Sequence, residues 1–443
     1  MLGVGDTQPT TVLAHLWSSL RPLRRRATGV CALGVFALFV AGGAGAPADA
    51  AVTPCGPGIR VRPPRASEPV TAAFGARSYA AGDVASLRIS ARARTSATLR
   101  LFHAGPGRTL RRLGTHAAVV RPARHLRLRA STRRLVVRIG KWPSGLYFAL
   151  VKTRRGMAAA PFVLRATGRR RTRVAVVLPT NTMAAYNLRD TDRNGYGNTW
   201  YADPRVQSVD LRRPVLPGRL PQWPGPFVRW FAHSGYSADF YSDEDLDSVA
   251  SGRRLASRYN LVVFAGHEEY VTQHVFRMIK RYRDLGGNLA FLSANNFYAR
   301  VAVSRSRMKC VGRFRDLGEP EAGLIGVQYV DWWRRRYPSR PFVVRSAAAA
   351  RWLFRGTGLR RGDHFGGRYG IEIDARARSS PRGTRVIAEL PSIFGPAKTA
   401  QMTYYRTRSG AKVFAAGAMG FGAPQSRGTA RMLRNAWAYL RRR

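Results

Sequence analysis

Acidic residues, lysine and cysteine are all scarce in this sequence of 443 residues. Only 24 residues are Asp or Glu against 75 that are Lys or Arg, and just six of those 75 are lysine, so arginine dominates the net charge of +51. The arginines are spread along the whole chain, whereas nucleic-acid-binding proteins usually gather them in a stripe or a tail. We therefore expect no specific nucleic-acid binding. Two interpretations of the charge stay open: a general arginine bias, and a surface that binds an anionic envelope polymer.

Long apolar runs are also lacking, which excludes a membrane span in the part of the chain after residue 50. Wholesale disorder is excluded too, because 45% of the residues are apolar and 10% are aromatic. The length allows two or three domains.

The first fifty residues predict a signal peptide. Arg24–Arg26 is cationic, and Val30–Val40 is an apolar run of about eleven residues, too short to span a bilayer comfortably. An Ala48-Asp49-Ala50 cleavage site precedes Ala51. We expect a secreted or envelope protein, with an uncleaved anchor as the alternative. Cleavage would leave two cysteines, Cys55 and Cys310, and the sequence alone does not decide whether they pair.

Residues 51–170 predict a β-sandwich. Short alternating runs such as Ser86–Ser90, Thr98–Phe102 and Leu135–Ile139 are separated by turn residues at the spacing typical of sandwiches. Arginine often occupies every second position, as in strands with one solvated face.

Residues 171–443 predict a parallel α/β domain. Arg173–Pro179 and Asn260–Gly266 are continuous apolar runs, as in strands buried on both faces. Gln273–Leu285 has helical apolar spacing and is followed by two glycines. Ser426 is a candidate cap for a last helix.

Motifs of several common enzyme classes are absent. The sequence has no G-x-S-x-G, no H-E-x-x-H, no P-loop and no G-x-G-x-x-G with a following acid, which disfavours the serine hydrolases, zinc proteases and nucleotide-binding enzymes that depend on them.

Polar residues instead follow three predicted parallel strands. Because ligands of such sheets lie at the carboxyl ends of strands, we expect these residues to converge, although each alone could be an ordinary polar cap. Tyrosines combined with a carboxylate are hard oxygen donors, better suited to Fe(III) than to zinc. The residues are Tyr186, Asn187, His267, Glu268, Glu269, Asn295 and Asn296.

A family resemblance is carried by several segments, among them AYN, NLVVFAGHEEY and GGNLAFLSANNFYARV. The sequence resembles the large (beta) subunit of N,N-dimethylformamidase and its relatives. The resemblance implies an immunoglobulin-like β-sandwich followed by a parallel α/β domain like those of flavodoxin and class I glutamine amidotransferases. It also implies hydrolysis of the C–N bond of a small amide. Family catalysts work with a small partner subunit that this chain does not encode.

The same resemblance implies an iron site and its neighbours. Tyr147, Tyr186 and Glu269 match the family's two tyrosine ligands and its glutamate ligand, and His267 and Glu372 match positions of proton transfer. Such an ion would polarise the amide carbonyl and acidify a bound water. Asn295 and Asn296 are candidate donors to the developing oxyanion.

A second metal pattern is independent of the first. Asp190, Asp192, Asn194 and Gly195 match the first half of a calcium loop, but Tyr201 stands where an EF-hand has Glu. An EF-hand is therefore excluded. A partial calcium loop and an Asx-rich turn both stay open.

Overall fold

The structure is a computed structural model that describes residues 54–443, apart from 57, 59, 61, 64–67, 114, 168–171, 217–223 and 333–339. The expected signal peptide lies outside the described residues. Within the described part, no helix is long and apolar enough to cross a membrane.

Two β-sheets form the N-terminal part. One has the strand order β1-β3-β6 and the other the order β2-β8-β7-β4-β5. In β3 the buried Leu87 and Ile89 alternate with Ser86 and Arg88, so the apolar side chains form a core while arginine faces solvent. The expected sandwich is present in this coarse form. The strands are β1 (Val70–Phe74), β2 (Ser78–Tyr79), β3 (Val84–Ala91), β4 (Thr95–Leu110), β5 (Thr115–Leu128), β6 (Thr132–Arg138), β7 (Gly145–Thr153) and β8 (Met157–Leu164).

The remaining residues form one large sheet, one four-stranded sheet and the helices. The strands are β9 (Val174–Leu178), β10 (Ser208–Asp210), β11 (Asp239–Ser242), β12 (Leu261–Phe264), β13 (Tyr270–Thr272), β14 (Asn288–Phe291), β15 (Ala299–Ser304), β16 (Arg307–Arg313), β17 (Gln328–Trp332), β18 (Arg340–Val344), β19 (His364–Ala375), β20 (Arg385–Leu390), β21 (Ala400–Arg406), β22 (Lys412–Ala415) and β23 (Ala418–Met419). The helices are α1 (Thr180–Ala185), α2 (Pro224–Ala232), α3 (Asp243–Asp247), α4 (Gly252–Arg258), α5 (Gln273–Asp284), α6 (Ala322–Ile325), α7 (Arg351–Phe354) and α8 (Arg427–Leu440).

Half of the large sheet is parallel and half is antiparallel. Strands β11-β9-β12-β14-β22 run parallel, whereas β21, β20, β18 and β19 continue the sheet antiparallel. The parallel half agrees with the α/β prediction, and the antiparallel half departs from it. Hairpin-connected strands need no crossover helix, so the sequence between α7 and α8 lacks the helical pattern that marks a parallel unit.

The sandwich is joined to the large sheet by a partly buried arginine. Arg77, between β1 and β2, donates to Asn181 Oδ1 at 2.8 Å and to Thr180 Oγ1 at 3.4 Å. Both acceptors lie at the start of α1. The sandwich therefore contacts the carboxyl edge of the parallel strands.

A disulfide joins Cys55 to Cys310, which are 255 residues apart. It holds the first described segment beside β16. The carbonyl of Cys55 also accepts a hydrogen bond of 2.6 Å from the Tyr270 hydroxyl. The open question of pairing is thus answered by the structure.

Candidate functional site

Four side chains meet at the carboxyl edge of the parallel strands, and we call Tyr186, His267, Glu269 and Glu372 the central cluster. Strand β9 leads through α1 to Tyr186, and β12 leads directly to His267 and Glu269. Glu372 comes from β19, on the antiparallel side. His267, Glu269 and Glu372 are almost completely buried.

The central cluster is held by direct hydrogen bonds. The Tyr186 hydroxyl lies 3.2 Å from His267 Nε2 and donates to Glu372 Oε1 at 3.2 Å. His267 Nε2 lies 3.1 Å from Glu269 Oε2 and 3.6 Å from Glu372 Oε2. His267 Nδ1 is 3.0 Å from the Ala294 carbonyl, which can only accept, so Nδ1 carries a proton and Nε2 faces the carboxylates.

Asn295 joins the two carboxylates of the cluster. Its Nδ2 donates to Glu269 Oε1 at 3.2 Å and to Glu372 Oε2 at 2.7 Å, and its backbone N–H donates to Asp374 Oδ1 at 2.7 Å. Asn295 Oδ1 is buried and has no hydrogen-bond partner among the described residues. Buried acceptors without a partner are uncommon in folded proteins, so Asn295 Oδ1 is an acceptor that a bound water or ion would satisfy.

The backbone around the cluster is strained. Asn295, Phe297 and Ile371 have φ values of 53°, 57° and 63°. Asn tolerates this left-handed region, but a β-branched or bulky residue adopts it only at a cost. Ile371 directly precedes Glu372, so strain is concentrated where side chains must be aimed at one point.

Burial and neighbouring charges shift the pKa values of His267, Glu372 and Tyr186. Burial acts to lower the pKa of His267, but the carboxylates of Glu372 and Glu269 outweigh it and raise the value to about 9. Burial raises the pKa of Glu372 to about 7, with Glu269 adding to the shift and His267 opposing it. Burial, followed by repulsion from Glu269 and Glu372, also holds the pKa of Tyr186 well above its usual value. The cluster therefore crowds oxygen groups whose ionised forms repel one another, and His267 is the one cationic group among its four members.

Tyr201 is the second tyrosine at the cluster. Its ring centroid lies 3.8 Å from that of Tyr186, and burial and then Glu372 and Glu269 raise its pKa well above the usual value. Tyr147, the tyrosine expected from the resemblance, lies elsewhere. It is buried on β7 inside the sandwich, its hydroxyl donates to the Pro143 carbonyl at 2.7 Å, and its ring stacks on His103. An aromatic side chain on an inward-facing strand position packs into the core, which accounts for this difference.

Asn296 and Glu268 face away from the cluster. Asn296 accepts from the backbone N–H of Glu268 at 3.2 Å and donates to the Ser293 carbonyl at 3.0 Å, so its amide holds two loops together. Glu268 lies beside Asp243, and burial raises the pKa of both carboxyl groups. Of the two asparagines expected to face an oxyanion, only Asn295 contacts the cluster.

The donor set fits a hard cation. Tyr186, Tyr201 and Glu269 offer oxygen donors close to one another, and the orphan Asn295 Oδ1 lies beside them. The side chains of the central cluster hydrogen-bond directly to each other. In the described part of the chain, no three His, Cys, Asp or Glu residues are arranged so that they could surround a metal ion. A metal would therefore take the place of these hydrogen bonds.

The candidate calcium loop closes on itself. Asp190 Oδ2 accepts from the Gly195 backbone at 2.9 Å, and Asp192 Oδ1 accepts from the Asn194 backbone at 3.3 Å. Asn194 Nδ2 donates to Asp192 Oδ2 at 3.1 Å. These are the bonds of an Asx-rich turn, and calcium binding by Asp190, Asp192 and Asn194 stays a prediction.

Three further residues support the site without having been expected there. In the sequence Tyr201 marks only the last position of the candidate calcium loop, at the end of the NTWY segment. Buried Thr182 accepts from the Glu269 backbone at 3.0 Å, and buried Asp374 holds the Asn295 backbone. The alternation of Glu372 and Asp374 in GIEID is the signal that points both side chains to the same face of β19.

Comparisons with known proteins identify a matching family and one relative. The family model "N,N-dimethylformamidase beta subunit-like, C-terminal" matches residues 131–424. The N,N-dimethylformamidase beta subunit of Paracoccus aminophilus is 28% identical over 117 residues, which are 26% of this chain and 13% of that protein. This chain thus matches only a small part of that relative's length.

Solved structures give only partial likenesses. An uncharacterized protein from Bacillus anthracis str. Ames is 16% identical with a TM-score of 0.16, and the match covers 20% of this chain and 78% of that one. A superoxide reductase (neelaredoxin) from Ignicoccus hospitalis is 11% identical with a TM-score of 0.15, and covers 21% of this chain and 78% of that one. Likenesses this low carry no argument about fold or function.

Proposed function

The chain belongs to the N,N-dimethylformamidase beta subunit-like family, whose model matches more than half of it, and we propose that it is a metal-dependent hydrolase of the C–N bond of amides. The observation that carries this proposal is the central cluster. An imidazole, two carboxylates and a phenol are hydrogen-bonded to one another in a buried site at the carboxyl edge of the parallel strands.

We assign the proton transfers to His267 and Glu372. Their environments raise both pKa values, to about 9 for His267 and about 7 for Glu372, so at neutral pH His267 holds a proton that it can donate while the Glu372 carboxylate can accept one. Glu372 takes a proton from the attacking water, and His267 Nε2 delivers one to the amine nitrogen as the C–N bond breaks. Asn295 donates to the carboxylates of Glu269 and Glu372, and the Ala294 carbonyl accepts from the imidazole of His267, so these hydrogen bonds fix the orientation of the groups.

Tyr186, Tyr201 and Glu269 would hold the metal, with ferric iron the ion that best suits phenolate and carboxylate donors. When bound, the ion supplies polarisation of the amide carbonyl and a more acidic water. Tyr201 takes the place of Tyr147 in this proposal because it lies beside Tyr186, whereas Tyr147 is held in the sandwich core.

Turnover of the purified chain with iron supplied tests this proposal. We expect release of amine from small amides by the wild type, and a loss of at least about a hundredfold in kcat in His267→Ala with iron content unchanged, because general acid–base catalysis contributes about 10²–10⁴-fold. His274→Ala is the matched control, since His274 lies on α5 and its Nε2 bonds to the Val249 carbonyl at 2.9 Å rather than to the cluster. Equal turnover in His267→Ala and wild type would contradict the assignment.

Binding of an anionic polymer is the second candidate function. From Val84 to Arg189 the sequence contains no Asp or Glu, but it contains 22 arginines, Lys141 and Lys152. On the sandwich, Thr98 of β4 pairs with Lys152 of β7 on one side and His125 of β5 on the other, and exposed Arg127, two residues after His125, continues this face. A wide cationic surface attracts polyanions and does so less at high salt.

Titration with sodium polyphosphate at two salt concentrations tests this second function. We expect binding that weakens steeply as salt rises and that falls further in Arg127→Ser/Lys152→Ser. Unchanged binding in that variant would move the polyanion site elsewhere on the chain, and no binding at low salt would remove this candidate.

A further inference from the structure

An apolar cavity lies between the sandwich and the large sheet. Its volume is about 130 Å³. One wall comes from β1 and β8 of the sandwich, and the other from α1 and the segments that follow α1 and β10. The apolar side chains that line it include Phe74, Phe162, Met183, Leu188, Leu211 and Leu216.

The cavity and the central cluster share Tyr186. This residue lines the cavity, and its hydroxyl contacts His267 and Glu372. A molecule that fills the cavity therefore touches the side chain that contacts the groups assigned to proton transfer. The cavity adjoins the site, and apart from Tyr186 none of its lining residues belongs to the cluster.

One unpaired polar atom belongs to the cavity wall. Asn187 lines the cavity, and its Oδ1 is buried with no hydrogen-bond partner in the part of the chain that the structure describes. Its Nδ2 donates to the Pro214 carbonyl at 3.1 Å. Because a carbonyl only accepts, this bond fixes the orientation of the amide and leaves Oδ1 as the free acceptor. A buried acceptor without a partner is costly, and a ligand N–H would satisfy it.

From these features we propose that the cavity is the subsite for the apolar substituent of a secondary amide, whose N–H donates to Asn187 Oδ1. An apolar cavity of about 150 Å³ stays dry and binds benzene, so the substituent here is a phenyl group or a branched alkyl group of similar size. The substrate class narrows from small amides in general to secondary amides with one such group. Hydrolysis adds water across the C–N bond and yields a carboxylic acid and a primary amine. This inference rests on the proposed amide hydrolase function for its reaction, but the binding it describes does not require turnover.

Binding of N-methylbenzamide and of N,N-dimethylbenzamide, measured by calorimetry and by melting temperature, tests the subsite. Both probes carry the phenyl group, but only N-methylbenzamide has an N–H. We expect the wild type to bind N-methylbenzamide about tenfold more tightly, which is the effect of one hydrogen bond to a neutral group. Asn187→Leu should remove this preference while keeping the affinity for the dimethyl probe.

A cavity-filling variant separates the subsite from other surfaces. Ala184→Leu places a larger side chain at a lining position on α1, and we expect it to abolish binding of both probes. Ala430→Leu makes the same change at a half-buried helix position on α8 and should bind like the wild type. If Ala184→Leu fails to fold, Asn187→Leu alone still decides the N–H preference.

The two proposals fail differently. Probe binding without hydrolysis of any amide would leave the subsite standing and contradict the proposed function. Hydrolysis of formamides together with no probe binding, or equal binding in wild type and Ala184→Leu, would overturn the subsite.

Discussion

At the scale of single residues, His103 makes the stability of the folded sandwich depend on pH. Its ring stacks on Tyr147 with centroids 4.5 Å apart, and burial lowers its pKa from 6.5 to about 4. The folded state therefore favours the neutral ring. The contribution of His103 to the free energy of unfolding is complete above pH 6.5 and is lost as the pH falls towards 4.

We expect His103→Phe, which keeps an aromatic ring for stacking, to lose less stability than the wild type between pH 7 and pH 4.5. The difference should reach about 2–3 kcal/mol, because each unit of pKa shift corresponds to about 1.4 kcal/mol. Denaturant unfolding at both pH values checks it, with exposed His125→Phe as control. Equal pH dependence in wild type and His103→Phe would contradict the assignment.

Individual site residues were predictable to different degrees. His267, Glu269 and Tyr186 follow buried apolar strands, so strand polarity alone places them at one edge. Asn295 follows for the same reason. Tyr201 could not be placed, because it ends an irregular segment whose path depends on contacts distant in sequence. Tyr147 is the opposite case, because it lies on a strand with an apolar pattern and its side chain is buried in the sandwich core.

At the scale of elements, α1 depends on a buried side-chain contact. Thr182 Oγ1 accepts from the backbone N–H of Glu269 at 3.0 Å and of Tyr270 at 3.4 Å. It therefore ties α1, which leads to Tyr186, to the chain segment that carries Glu269.

Thr182→Val keeps the shape of the side chain but leaves these two buried N–H groups without their acceptor. We expect a loss of about 1–3 kcal/mol in the free energy of unfolding and weaker metal binding, because Glu269 shifts. Urea unfolding measures the first effect, and Thr115→Val on β5 is the control. A variant as stable as the wild type would show that water or another group replaces Thr182.

Elements with strong periodicity were predicted well. The helix expected at Gln273–Leu285 is α5, with Thr272 as its cap and Leu285 at its end, and Ser426 caps α8 through the Thr429 backbone. The antiparallel strands β18–β21 were not predicted individually, since short apolar runs do not reveal which neighbour they pair with. Glu372 was therefore matched only through the family resemblance, and its place at the cluster follows from the pairing of β19.

At the scale of the whole molecule, the disulfide closes a loop of 255 residues. The Cys55 carbonyl also accepts a hydrogen bond from the hydroxyl of Tyr270, the residue that follows Glu269. A long closed loop restricts the unfolded chain, so the crosslink stabilises the folded state.

We expect Cys55→Ser/Cys310→Ser to lower the free energy of unfolding by about 2–5 kcal/mol, seen as a lower melting temperature. Reductant should lower the melting temperature of the wild type and leave that of the double variant unchanged. A wild type that melts at the same temperature with and without reductant would show that the crosslink does not stabilise the fold.

The contact between the sandwich and the site was beyond sequence reasoning. Arg77 is one of many arginines in the strand region, and nothing in its local pattern marks it as the one that reaches Asn181. Domain docking depends on two complementary surfaces that a single sequence does not reveal.

Iron content and the visible spectrum of the purified protein test the central claim most directly. We predict about one iron per chain and a visible phenolate-to-iron charge-transfer band in the wild type. Tyr186→Phe and Tyr201→Phe keep their rings but remove a donor oxygen, so each should lose or shift the band, whereas Tyr147→Phe should retain both band and iron. A protein expressed with iron that contains no transition metal, or a band lost in Tyr147→Phe and kept in Tyr201→Phe, would contradict the account.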